Sequence, residues 1–276
     1  EHLDEALDIA EDNNDNESLS IVYNNYGLIY KEQKRFKKAI KFFNKGLKLQ
    51  KTLQNEHMYA NLLHNMSTCY GLSGENARWI NYLEQSQRIY EKLELEDRLG
   101  NSHGAMGNAY KSGGNDKEAI KYYDKAKAIF LSENMTYNYA QTLIIQSECF
   151  INLEKYDDAE ENLNKALEIS EDFKQPLING RIHLAYAYFY IEKKEFDEAL
   201  HSFEESIDIF ADLNNKLRVA EILVDMGHVH LKQNKLNRAE KCYMRSNKMA
   251  LKLKNIKLHE HIKNFRKNLD EYIESN

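Results

Sequence analysis

The chain has 276 residues, 42% of them hydrophobic and 30% charged, with a single proline and a mean hydropathy of −0.73. This composition excludes collagen, disorder and a membrane-inserted protein, and it favours a folded, mostly helical chain. A net charge of −6 argues against a dedicated nucleic-acid binder.

Taken in chain order, the sequence opens at Glu1 with no methionine and no leader pattern, so it reads as a piece of a longer protein. Residues 1–13 fit a helix in which Ala6 keeps register with Gly46. One pattern then recurs every 40 residues without insertion or deletion, at about 17–54, 55–94, 95–134, 135–174, 175–214 and 215–254. Tyr30, Tyr70, Tyr110, Phe150, Tyr190 and His230 share a column, and Gly27, Ser67, Gly107, Ser147, Ala187 and Gly227 stand three residues before them. Ala39, Trp79, Ala119, Ala159, Ala199 and Ala239 form another column, and Phe43, Leu83, Tyr123, Leu163, Phe203 and Tyr243 a third. Spacings of three, four and seven between large and small columns predict two amphipathic helices per repeat. In the third repeat they run from about Glu96 to Gly113 and from a cap at Asp116 to near Glu133. Pro176 opens a first helix, where its missing N–H costs nothing. Residues 256–275 break the pattern, with Asp270 in the tyrosine column, and read as a polar, lysine-rich helix covering the open end of the array.

With Gly107, Tyr110, Ala119, Tyr123 and Ala126 aligned in this order, the chain resembles the tetratricopeptide repeat family over nearly its whole length. The period of 40 departs from the usual 34. It is similar to the long repeats of the adaptor LGN, kinesin light chains, and bacterial Rap-type receptors and repeat-bearing sensor kinases. The resemblance implies an all-α, right-handed superhelical solenoid of antiparallel helix pairs forming one domain over 1–276. It also implies a non-enzymatic module that binds an extended peptide or a partner helix in a concave groove and regulates an attached domain. The alternatives are a receptor for a signal peptide that controls an output domain, and a self-associating scaffold.

No glycine-rich phosphate loop, HExxH or nucleophile elbow is present, so no catalytic residue and no cofactor are expected. No metal site is expected either. His228 and His230, like His259 and His261, are two apart, whereas helical ligands want spacings of three or four. The three cysteines Cys69, Cys149 and Cys242 do not suggest a disulfide framework, which favours a reducing, cytoplasmic setting. The longest uncharged apolar stretch, Ile182 to Ile191, is short of the roughly 18 residues needed to cross a bilayer.

Between the packed columns, the first helices carry Asn24, Leu28, Asn61, His64, Asn65, Thr68, Asn101, Gly104 and Asn108, followed by Ile144, Glu148, Arg181, Tyr188, Glu221, Val224, Asp225 and His228. Asparagine is a poor helix former, and its amide both donates and accepts, which suits a peptide main chain. The resemblance places these residues on the concave face, with Lys111 beside them to orient an acidic group. Trp79 replaces alanine and marks a second candidate patch, for which Gly71 and Gly74 make room. The acidic residues 1–20 and the basic stretch from Lys232 to Lys267 suggest homo-oligomers formed end to end.

Overall fold

The computed structural model describes residues 2–253 and 255–275. Glu1 and Lys254, the outer ends of the first helix and last repeat read from the sequence, lie outside the described residues. Fourteen α-helices and no strand occur among the described residues. They are α1 (His2–Asp12), α2 (Asn16–Glu32), α3 (Phe36–Leu53), α4 (Glu56–Leu72), α5 (Asn76–Lys92), α6 (Glu96–Ser112) and α7 (Asp116–Ser132). After them come α8 (Thr136–Asn152), α9 (Tyr156–Asp172), α10 (Pro176–Glu192), α11 (Phe196–Asp212), α12 (Lys216–Lys232), α13 (Leu236–Leu253) and α14 (Ile256–Ser275). The chain forms two compact units, Glu1–Thr142 and Leu143–Asn276.

The joints repeat more finely than the helix pairs. Left-handed backbone occurs every 20 residues, at Asn14, Lys34, Gln54, Gly74, Glu94, Gly114, Asn134, Glu154, Lys174, Lys194, Asn214 and Asn234. Each such residue turns the chain after one helix so that the next can run back beside it. At every joint but that of Gln54, the residue that follows then donates its N–H to a carbonyl five positions earlier, as Arg35 does to Tyr30 (2.8 Å), Glu75 to Tyr70 (2.9 Å) and Asn115 to Tyr110 (2.9 Å). This Schellman closure satisfies a helix-end carbonyl that would otherwise be orphaned. N-caps are uneven. The Asp15, Asn55, Asn115 and Asn215 side chains accept from the first turns of α2, α4, α7 and α12, whereas Arg35, Glu75, Lys155 and Glu195 make no side-chain cap. The cap expected at Asp116 is therefore corrected to Asn115, and Asp116 is the first helical residue, where its charge still favours the helix N-terminus.

Packing follows the columns. Ala39, Ala119, Ala159, Ala199 and Ala239 are all fully buried. A Cβ added to Gly27 would lie 2.3 Å from the Phe43 ring, and one on Gly107 2.5 Å from the Tyr123 ring, so the ring fills the notch that the glycine leaves. Burying such a ring contributes about 2 kcal/mol. The tyrosine column stacks on a further aromatic, Tyr30 on Phe42, Tyr70 on Tyr82 and Tyr110 on Tyr122, at centroid distances of 5.3, 5.2 and 5.3 Å.

The second unit ends differently. On α14, Leu258, Ile262, Phe265 and Leu269 form a buried stripe against α12 and α13. Phe265, rather than Tyr243, fills the notch at Gly227, where an added Cβ would lie 2.1 Å from the ring. The end helix is thus apolar on its inner side and carries its lysines outside, a correction to the polar reading.

Candidate functional site

In the first unit, α2, α4 and α6 lie side by side, and the candidate residues project between them. Asn24, Asn61, His64, Asn65, Thr68, Asn101, Asn108 and Lys111 are all half-buried. The amides are engaged with one another and with buried phenols. Asn65 donates to Asn24 Oδ1 (2.9 Å), Asn138 to Asn101 Oδ1 (3.0 Å), Tyr90 to Asn61 Oδ1 (3.0 Å) and Tyr123 to Asn108 Oδ1 (2.8 Å). Asn61 Nδ2 also lies 3.3 Å from His57 Nε2, and Asn101 donates to the Asp97 carbonyl (2.9 Å). The asparagines therefore link neighbouring helices, a structural reason for them that the sequence does not display. Asn65 Oδ1 and the Asn24 and Asn108 amide nitrogens keep hydrogen-bonding capacity for a ligand.

Gly104 lies among these amides, and a Cβ built there would meet nothing within 4 Å. The face is open at that point, with bare backbone flanked by Asn101 and Asn108. Thr68 donates to the His64 carbonyl (3.2 Å). His64 Nδ1 is buried without a hydrogen-bond partner, and desolvation, with Arg98 and Lys31 nearby, lowers its pKa to about 4. It is a neutral imidazole at pH 7, so the site's polarity there comes from dipoles rather than charge.

In the second unit, Glu148 and Arg181 are half-buried on α8 and α10, while the predicted face residues Ile144 and Val224 are 3% and 0% exposed. These two pack between helices instead of facing solvent, which corrects their assignment. The Tyr188 ring meets Phe203 edge-on, and its hydroxyl donates to Asp225 Oδ2 at 2.7 Å. Desolvation first, and the Asp225 carboxylate second, push the Tyr188 phenol well above its usual range. His228 packs edge-on against Phe265 at 4.6 Å and lies close to His261 of α14. Asp225, His228 and His261 form the one His/Cys/Asp/Glu cluster among the described residues with ligand atoms near enough to share an ion. The spacing argument missed it by weighing only histidine pairs on a single helix.

Trp79 is half-buried and lies against Gly71, where an added Cβ would be 2.5 Å from the indole. Gly74 meets nothing within 4 Å and gives the indole no room; its role is the left-handed turn at φ 80°. The indole joins the core around Phe43, Leu63 and Tyr70, so this position is packed more than presented. The second helices carry features that the sequence reading passed over. A groove of about 760 Å³ between α3 and α5 is lined by Lys48, Lys51, Arg78 and Tyr82. Another of about 590 Å³, beside α9, α10 and α11, is lined by Glu160, Asp197, Glu198 and Glu205 with His183 and His201. No helix among the described residues is long and apolar enough to cross a membrane.

The family model described as soluble NSF attachment protein matches residues 10–174, and that described as tetratricopeptide repeat matches residues 180–252. Tetratricopeptide repeat protein 29 of Trypanosoma brucei brucei is 24% identical over 234 residues, 82% of this chain and 48% of the relative. The chain thus spans about half the length of that protein. Among solved structures, the STAND protein PH0952 of Pyrococcus horikoshii, with its tetratricopeptide repeat sensor, superposes with a TM-score of 0.74 at 15% identity, over 88% of this chain and 37% of that one. A Rap protein complexed with Competence and Sporulation Factor superposes with a TM-score of 0.65 at 16% identity, over 92% of this chain and 77% of that one. At such identities the likeness to these structures is one of fold.

Proposed function

Because this chain belongs to the tetratricopeptide-repeat proteins, and over residues 10–174 to the family described as soluble NSF attachment protein, we infer that it is a non-enzymatic module that binds an extended peptide or partner helix across its first helices. The observation that carries this reading is the open backbone at Gly104, set among the half-buried amides of Asn65, Asn101 and Asn108. A helix interior gains nothing from glycine, which costs about 1 kcal/mol relative to alanine. A bare stretch of helix among spare amide donors and acceptors suits a ligand main chain that must come close, each hydrogen bond contributing about 1 kcal/mol. Lys111, Glu148, Arg181, Tyr188 and His228 are proposed to extend the contact surface within their own units. The three cysteines are buried and form no disulfide, which supports a reducing, cytoplasmic setting.

The test is Gly104→Leu. Its side chain enters open space, so the thermal midpoint should hold or rise while capture of a partner from native extract is lost. A still-folded variant that captures the same partner as wild type would rule this face out. A second reading, a receptor domain for a diffusible signal peptide, is favoured by the similarity to the Rap protein solved with Competence and Sporulation Factor. Under that reading a short peptide alone should bind wild type and compact the domain in small-angle scattering.

A further inference from the structure

Asp225 and His228 stand three residues apart on α12, so they share one face, and His261 reaches the same spot from α14. One ligand atom from each lies within 4.8 Å of the others, and Asp225 Oδ1 is 3.9 Å from His261 Nε2. All three are half-buried, open enough to exchange with solvent and covered enough to be held in place. The Tyr188 hydroxyl occupies Asp225 Oδ2, leaving Oδ1 toward His261. Phe265 fixes the His228 ring edge-on, and the two imidazoles sit 6.3 Å apart, tilted by 35°.

The charges leave this carboxylate short of a cation. Arg218, a guanidinium that acts on it, is already paired with Glu221 at 3.0 Å. Two imidazoles and one carboxylate are the donors of a zinc-class ion, whereas magnesium and calcium sites are built from oxygen. Bonds of about 2.0–2.1 Å put tetrahedral ligands about 3.3 Å apart, a closure within reach of side chains this exposed.

We propose that Asp225, His228 and His261 bind one divalent transition ion of the zinc class, which pins the end helix α14 to α12. Tyr188 acts as the positioning residue that orients the carboxylate, in the manner of outer-shell partners at known metal sites. Three protein ligands leave a fourth position for water or for a donor on a bound partner.

The test uses the untagged, chelator-treated full chain titrated with Co²⁺ at pH 7.5, read by visible absorption and by thermal melting. One equivalent should give tetrahedral d–d bands that Zn²⁺ abolishes, with a rise in Tm. In His261→Gln and Asp225→Asn both the bands and the rise should be lost, while exposed His259→Gln keeps them. His261 is solvent-accessible, so its variant should fold, and its melt without metal verifies this. Wild type without bands would reduce the cluster to an Asp–His ion pair and overturn the proposal. So would bands of equal strength in His261→Gln, which would place the ion on other histidines.

Discussion

At the scale of single residues, the second repeat exchanges two side chains. The other repeats pair a long residue with a buried alanine eight positions on: Lys31 with Ala39, Lys111 with Ala119, Ile151 with Ala159, Ile191 with Ala199 and Leu231 with Ala239. Here Gly71 faces Trp79, with the indole in the space the long side chain would take. Trp79→Ala should cost about 3 kcal/mol through the cavity it opens, and Gly71→Ala about 2 kcal/mol, because its Cβ meets a rigid ring 2.5 Å away. The double variant Gly71→Leu/Trp79→Ala restores the arrangement of the other repeats. It should unfold in urea closer to wild type than Trp79→Ala does, with a coupling of about 1 kcal/mol or more. Strictly additive losses would mean that the two sites do not compensate. This exchange was half legible in the sequence, since Trp79 stood out in its column and Gly71 was named beside it. The reciprocity is visible only when the column of long side chains that Gly71 interrupts is set beside the alanine column that Trp79 interrupts.

At the scale of elements, most helices are 17 residues long and successive joints come every 20 residues. Each joint needs one left-handed residue, which glycine or asparagine supplies at Asn14, Gly74, Gly114, Asn134, Asn214 and Asn234. The remaining joints use Lys34, Gln54, Glu94, Glu154, Lys174 and Lys194, side chains for which this conformation costs about 1–2 kcal/mol. Glu154 is exposed, with φ 59°. Glu154→Gly should therefore raise the urea midpoint, by about 0.5–1 kcal/mol after the greater freedom of glycine in the unfolded chain is counted. A lower midpoint would show that the glutamate side chain contributes more than its backbone strain. Helix positions were legible because spacings of three, four and seven report burial directly. The candidate face was legible only as what the packed columns left over. Whether Asn65 reaches Asn24 or a ligand depends on side-chain geometry across helices 41 residues apart, which no local spacing encodes. The Asp225–His228 pair did carry the helical spacing of three. Its third member, His261, lies outside the 40-residue register, so column reading could not recruit it.

At the scale of the molecule, stability should be the sum of helix pairs and the interfaces between neighbours. The end of the second unit tests this, because its last notch is filled from the end helix instead of from the repeat's own second helix. Phe265 is fully buried against Gly227, within the cluster that includes Val224, Ala239, Ala250 and Leu269. Truncation to alanine removes a ring whose loss in a core costs about 3–5 kcal/mol. If coupling runs only between neighbours, that loss should stay local. Hydrogen exchange of Phe265→Ala should then show amides in α12, α13 and α14 losing protection while those of α2 to α7 keep theirs. Uniform loss would mean that the two units unfold as one cooperative body, and adding up repeat by repeat would fail. The local outcome has a consequence for binding as well. A ligand that engages His228 or Tyr188 would meet helices whose order depends on α14, whereas the amide face of α2, α4 and α6 would stay preformed, and that difference would make the first unit the more rigid platform for the proposed peptide.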